Sequence, residues 1–330
     1  MKKAILWFIK ASIGGLIAFG ILTAFCMLYF NVPVHSDTID GVTDYSWEKN
    51  KFHSRATEGF AWGKTNNEGY PNQFDYSQNS DIDILIMGSS HMEAFQVAMD
   101  ESTASVLGNL LPHYAVYNIG TSGHDFLRCA DNLTAAIDKY NPAKYVIIET
   151  SSLLFTTEQL TEAIQEAIPD LPSHSEGIIG LLQKNPFLRL LYTQLQAFNG
   201  NSDTTNNSDK AIASSRGSEE LYNELLRKLW NTASKSGAQL LIVYHPHLMI
   251  NQDNSVSALV DEELSTFFAN ICEKNNIKFL DMSDIFIKEY QEKYMLPHGF
   301  SNSSIGSGHL NKYGHEMIAN ALYMLIMEDE

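Results

Sequence analysis

The 330-residue chain is poor in cysteine and in positive charge, and each scarcity narrows what it can do. Of its three cysteines, Cys26 lies in an apolar N-terminal run. Cys129 and Cys272 fall in helical patterns, and no Cys-x-x-Cys pair occurs. A disulfide framework and a cysteine-ligated metal centre are therefore unsupported, and the two downstream thiols are expected to be free and buried. Lysine and arginine together number 22 against 39 aspartates and glutamates, a formal net charge of −17. That balance argues against nucleic acid and against any polyanion held by simple charge attraction. Charge of either sign is missing from Ala11 to Phe30, just after Lys2, Lys3 and Lys10. At about 1.5 Å per residue, the roughly 20 residues of this run cover the ~30 Å hydrocarbon core of a bilayer. The run is expected to be a transmembrane helix. Lysines precede it and Asp37, Asp40 and Asp44 follow, so the N-terminus is expected in the cytoplasm and everything beyond Phe30 outside. A signal peptide shares the charged start and apolar core. No small-x-small cleavage site follows cleanly, and Phe25 before Cys26 is too bulky for a lipoprotein signal, which favours an uncleaved anchor.

Three regions follow from this pass. Residues 1–30 are a cytoplasmic tip and anchor. Residues 31–80, polar and aromatic with turn signals at Asn67-Glu68-Gly69-Tyr70-Pro71, read as an extended stalk that goes on to pack along the domain. Residues 81–330 are enough for one large α/β domain with a well-filled core. Apolar runs at 82–87, 113–118, 144–149, 239–244 and 277–280 alternate with helical patterns, the last of these from about Lys312 to Met327. Strands separated by helices predict a parallel sheet covered on both faces, a flavodoxin-like α/β/α sandwich of roughly five strands. Two amphipathic helices, around 158–168 and 177–196, and an Asn/Ser/Thr/Asp/Gly-rich loop at 199–218 form an insertion spanning about 156–218. No internal repeat is visible.

The first apolar run ends in Gly88-Ser89-Ser90-His91, with a helix expected from Met92. A strand-turn-helix of this kind presents a side chain at the carboxyl edge of a parallel sheet, and a serine there suits acyl transfer. Two serines at such a turn also simply cap a helix. The far end of the chain supplies a base for the first alternative: His309 lies in the Gly-rich loop Gly306-Ser307-Gly308-His309-Leu310-Asn311 before the final helix.

Gly88-Ser89-Ser90 after strand one, Asn118-x-Gly-x-x-Gly123 after strand two and His309-Leu-Asn-x-x-Gly314 before the last helix together resemble the SGNH (GDSL-type) hydrolase superfamily. Its membrane-anchored members include cell-envelope acylation proteins. The resemblance covers about residues 82–325 in three short blocks. It implies Ser90 as nucleophile, His309 as general base, and the N–H groups of Ser90 and Gly123 as oxyanion donors. The chain departs from the pattern twice. Where the superfamily carries an oxyanion Asn, this sequence has Ser151-Ser152-Leu153, and where it places Asp three residues before the base, this sequence has Gly306. Ser151 or Ser152 is the candidate substitute donor. Asp281 or Asp284, at the end of strand five, is the candidate orienting acid, and a main-chain carbonyl would leave a Ser-His dyad.

His91, His124, His245 and His247 all fall at the carboxyl ends of expected strands, where a metal is conceivable. His-x-His on a loop is common by chance and the resemblance needs no metal, so these four are assigned to substrate contact or loop packing, with no metal and no cofactor expected. His298 and His315 read as ordinary surface residues. The sequence thus implies an extracytoplasmic serine esterase or O-acyltransferase acting on acyl groups of a cell-envelope polysaccharide or an acylated small molecule. The rival is a catalytically silent scaffold or glycan-binding subunit with envelope-assembly partners.

Overall fold

A computed structural model of the protein describes residues 2–36, 46–78, 81–166, 180, 182, 184–198, 217–259 and 262–329. The expected loop at 199–218 and the first half of the second insertion helix lie largely outside these residues. The N-terminal run is one helix, α1 (Lys2–Tyr29), apolar along its length and almost wholly exposed. After it come two short antiparallel pairs: β1 (His35–Ser36) with β2 (Ser46–Trp47), and β3 (Phe52–Arg55) with β4 (Ala61–Lys64).

The α/β domain is built on β5 (Ile84–Met87), β6 (Val116–Asn118), β7 (Tyr145–Thr150), β8 (Gln239–Tyr244) and β11 (Lys278–Asp281), all parallel. Their order across the sheet is β6-β5-β7-β8-β11, the flavodoxin-like arrangement. The expected strands all form, within a residue or so at their carboxyl ends. A small antiparallel pair, β9 (Leu248–Ile250) with β10 (Val256–Ala258), was not foreseen.

Two cores clothe the sheet, as the continuous apolar runs require. One packs α4 (Phe126–Tyr140), α5 (Thr157–Ile164), α7 (Glu219–Ser236) and α8 (Glu262–Lys274) against one face through Leu133, Ile137, Leu226, Leu229 and Phe268. The other packs α3 (Thr103–Leu110), α9 (Ser283–Lys293) and α10 (Lys312–Met327) against the opposite face through Leu107, Phe286, Ile318 and Leu322. Helix α9 fills a stretch to which no element was assigned from sequence. Between them in the chain lie α2 (Ser90–Glu93) and, before α7, α6 (Pro186–Phe198). Cys129 and Cys272 are free and buried in α4 and α8.

The segment expected as a stalk is folded onto the domain over its described residues. Trp47 and Tyr70 are buried. Asn66 donates to the Tyr117 hydroxyl (2.8 Å), and Asn72 exchanges hydrogen bonds with the Asn118 backbone, donating at 2.8 Å and accepting at 2.9 Å. Asn72 thereby satisfies backbone groups on the outer edge of β6, beside which no further strand lies among the described residues.

Candidate active site

The site forms where the strand order reverses, at the carboxyl ends of β5 and β7. Gly88 is there because nothing larger fits: a Cβ would stand 2.5 Å from Glu149 Oε2 and 2.8 Å from Met92 Cγ. Ser89 is the N-cap of α2, accepting weakly from the His91 N–H (3.3 Å). Its own N–H (2.7 Å) and hydroxyl (2.9 Å) both donate to Glu149 Oε2. The two serines therefore divide the labour. Ser89 caps, and Ser90 is left to face His309.

Ser90 Oγ lies 2.9 Å from His309 Nε2. The other side of the ring is held by Glu58, in the turn between β3 and β4: His309 Nδ1 is 2.6 Å from Glu58 Oε2, and the His309 backbone N–H donates to Glu58 Oε1 at 2.7 Å. The carboxylate thus fixes both the ring and the backbone of His309. Gly308, at φ +86°, makes room for it, since a Cβ there would fall 2.3 Å from Glu58 Oε1. Asn302 pins the acid's own turn. Its Oδ1 accepts from Gly59 N–H (2.9 Å), and its Nδ2 donates to Gly59 O (2.8 Å) and Ala56 O (3.0 Å).

Neither Asp281 nor Asp284 stands in this position. Asp281 accepts from the backbone N–H (2.8 Å) and hydroxyl of Ser283 and from the Ser265 hydroxyl, so it is spent on starting α9. Asp284 is exposed in the first turn of that helix. The carboxylate on His309 comes not from the carboxyl edge of the five-stranded sheet but from the turn between β3 and β4. Gly306, where the superfamily's Asp would be, has φ +78°, a conformation that suits glycine and strains aspartate.

The turn after β6 is braced against α2. Asn118 Nδ2 donates to Met92 O (2.7 Å), Asn118 Oδ1 accepts from Gly120 N–H (2.8 Å), and Thr121 N–H donates to Gly88 O (2.9 Å). Gly120 permits this approach, since a Cβ would meet Met92 Cβ at 2.7 Å. Gly123 is in the left-handed region (φ +88°). Among the described residues its N–H donates to no protein acceptor. Below this turn Glu93 is buried and accepts from Trp47 Nε1 (2.5 Å), Ser122 N–H (2.9 Å) and Ser122 Oγ (2.6 Å). Burial outweighs these bonds and pushes its carboxyl up to about 7. Of the candidate substitute donors, Ser152 Oγ accepts from Leu154 N–H (3.3 Å) and so shapes its own turn, while Ser151 is exposed at the end of β7.

Four imidazoles crowd beside the pair. His245 Nε2 is 2.7 Å from Glu149 Oε1, and His245 Nδ1 is 3.3 Å from His298 Nε2. The His91 ring lies 4.6 Å from His245 and 5.2 Å from His309, and His247 lies 4.3 Å from His298. The structure thus brings together His91, His245 and His247, with His298 added. His298 is no surface residue but 1% exposed, and His315, equally buried, faces the Thr103 hydroxyl at 2.9 Å. His298 lies in a loop, where sequence alone does not show which way a ring points; His315 lies on the face of α10 that buries Ile318, Ala319 and Leu322, so its helical spacing marks it as a core position. His124 is buried at the entry to α4, its pKa lowered to about 4 by burial and then by Arg128. Burial, followed by the neighbouring imidazoles, lowers His91, His247 and His298, so these rings are neutral at physiological pH.

Nitrogens of His91, His245 and His298 lie within 4.8 Å of one another, a donor set of the kind that takes zinc. The hydrogen bonds argue the other way. Leu310 N–H donates to His91 Nδ1 (3.2 Å), which leaves the proton of the neutral ring on Nε2 and no lone pair there for a cation. The His245 to His298 contact is itself satisfied as a hydrogen bond.

No protein-family model matches the chain, and no curated protein matches it. Solved structures do. They include an acetyl xylan esterase (14% identity, 74% of this chain and 99% of that one, TM-score 0.43) and the psychrotrophic esterase EstA from Pseudoalteromonas sp. (15%, 75% and 98%, 0.41). A third, from Desulfitobacterium hafniense, is described as a lipolytic protein of the G-D-S-L family (12%, 74% and 99%, 0.41). At these identities and scores the likenesses carry no argument about this chain, whose function is left to its own geometry.

Proposed function

We propose that the protein is a membrane-anchored, extracytoplasmic serine esterase or O-acyltransferase acting on acyl esters of a cell-envelope glycan or related polymer. The observation that carries this reading is the continuous line Ser90 Oγ, His309 Nε2, His309 Nδ1, Glu58 Oε2, with separations of 2.9 and 2.6 Å across its two contacts. It is the geometry of a nucleophile, a base and an orienting acid. Ser90 Oγ attacks the acyl carbonyl while His309 Nε2 takes the hydroxyl proton, and Glu58 stabilises the imidazolium and keeps its Nδ1–H in place. The N–H groups of Ser90 and Gly123 hold the oxyanion. As the tetrahedral intermediate collapses, His309 returns the proton to the departing alcohol oxygen. The acyl group on Ser90 then passes to water or to a sugar hydroxyl by the same steps in reverse.

Fluorophosphonate labelling of the full-length protein, together with hydrolysis of a short p-nitrophenyl ester, tests the reading. Ser90→Ala is expected to abolish labelling and to lower kcat by roughly 10⁶, the scale seen when a triad serine is removed. Undiminished turnover in that variant would overturn the mechanism, and a folded parent that never labels would favour a silent scaffold. Topology is checked separately: a reporter active only outside the cytoplasm, fused after Glu330, is expected to be active.

A further inference from the structure

The acid and the anchor belong to one piece of structure. The last carbonyls of α1, which have no partners within the helix, are taken by the β3–β4 hairpin: Ser54 Oγ donates to Met27 O (2.9 Å) and Trp62 Nε1 to Leu28 O (2.6 Å). Asn31, just beyond the helix, donates its N–H to Ser54 Oγ (3.0 Å) and its Nδ2 to Phe52 O (2.8 Å) and accepts from Ser54 N–H (2.9 Å). Around this junction the hairpin turns aromatic rings outward. Phe52, Phe60 and Trp62 are 41%, 55% and 51% exposed, and Phe60 packs against both Tyr29 (5.7 Å) and Trp62 (5.5 Å). Rings of this kind at the end of an apolar span are the composition of a membrane–water interface.

A second element follows α1 downwards. Asn185 Nδ2 donates to Thr23 Oγ1 (3.3 Å), and Phe187 meets Phe19 edge-on at 5.8 Å. Phe19 lies about 15 Å below the Tyr29 end of the helix, at 1.5 Å per residue. Helix α6 also exposes Leu191, Tyr192 and Leu195, while its one charged side chain, Arg189, reaches back up to Asn31 (3.4 Å). Apolar residues beside the span, and a cation lifted to its end, are what a helix dipping into a leaflet shows.

We propose that the β3–β4 hairpin and α6 form a seat in the outer leaflet around α1, and that the site therefore takes acyl esters presented at the bilayer surface on membrane-borne amphiphiles. The inference rests on the esterase reading for its substrate class and on the span for its seat. Glu58 lies in the turn of the hairpin whose rings meet the lipid, two residues before Phe60, so the plane of the interface also fixes the height of the catalytic centre.

Full-length protein in nanodiscs of phosphatidylglycerol and phosphatidylethanolamine separates the two parts. A nitroxide on Leu195→Cys is expected to be relaxed by oxygen and shielded from a water-soluble nickel chelate; the reverse would overturn the seat whether or not the protein is an esterase. For the substrate class, the double variant Leu191→Ser/Leu195→Ser is assayed on two probes, p-nitrophenyl acetate in solution and a phospholipid carrying 4-methylumbelliferyl acetate on its headgroup. Two exposed leucines are lost from the proposed lipid contact, so turnover of the lipid-borne ester is expected to fall about tenfold or more, with the soluble ester within about twofold. Equal losses on both probes, or none on either, would overturn the membrane-presented substrate. A parent inactive on both probes refutes the esterase reading and with it the substrate class, leaving the nitroxide result to decide the seat.

Discussion

The two halves of the candidate site are held in very different ways. Ser90 opens α2 just past the end of β5, in a turn that Glu149 and Asn118 brace through Gly88, Ser89 and Met92. Glu58 stands on a four-residue-per-strand hairpin outside that sheet, tied to the domain through Asn302 and His309. A nucleophile at a strand end inherits its position from the whole core. An acid on a peripheral turn depends on a few hydrogen bonds that can be removed one at a time.

The largest effect that tests this contrast is the exchange of the acid. Glu58→Gln keeps the shape of the side chain but removes the charge that stabilises the imidazolium, and it is expected to lower ester turnover by about 10⁴. Asp281→Asn is expected to leave turnover within about twofold and to cost about 1 kcal/mol of stability, because it weakens the hydrogen bonds that start α9. Measuring kcat/KM and thermal unfolding for both variants decides between them. If Asp281→Asn carried the larger kinetic loss, the hairpin would not be the source of the acid.

A smaller effect is expected one step further out. Asn302→Ala removes three hydrogen bonds from the Glu58 turn without touching the acid, His309 or Ser90. A displacement of about 1 Å near a reacting group costs on the order of 10² in rate, so a loss of about 10- to 100-fold in kcat, with KM little changed, is expected. A parental kcat would show that His309 alone is enough to hold Glu58.

What was legible in the sequence follows the same division. Strand positions, the parallel sheet, the Ser90 turn and the His309 loop are written in local patterns: an apolar run, a glycine, a helix start. Glu58 is not. It lies before the first sheet strand, in a segment read as a stalk, and its partner is 251 positions away in the chain. That segment is expected to pack along the domain, and Trp47, Tyr70 and Asn66 are buried there, but its polar composition gave no reason to look in it for an acid; the one local signal is Glu58-Gly59, a turn between two short strands. The histidines show the opposite failure. A shared site was conceivable for His91, His124, His245 and His247, of which the structure groups His91, His245 and His247; the burial of His298 depends on how its loop packs, whereas His315 shares the face of α10 that buries Ile318, Ala319 and Leu322, a helical spacing legible in the sequence.

Glu93 ties the sheet half to the N-terminal segment that also carries the hairpin, and offers the smallest and most specific test. It sits on α2 just after Ser90, and its carboxyl accepts from Trp47 of β2 and from Ser122 beside Gly123, the proposed oxyanion donor. Burial raises its pKa from 4.5 to about 7. For an acid whose folded pKa lies above its unfolded one, the native state binds more protons between those two values. The stabilising protonated form is therefore fully present below about 4.5, and stability declines as pH rises to about 7 and is flat above. A shift of this size corresponds to something on the order of 3 kcal/mol. Glu93→Gln imitates the protonated carboxyl: its carbonyl accepts from Trp47 and the Ser122 amide, and its NH₂ donates to the Ser122 hydroxyl. Full-length parent and variant are then expected to unfold at similar temperatures at pH 4.5, with the variant increasingly more stable up to about pH 7 and by a constant margin above it. Parallel pH profiles would mean that the three hydrogen bonds outweigh burial and that Glu93 carries its negative charge throughout, linking the N-terminal segment to the sheet half as an ion rather than as a protonated acid.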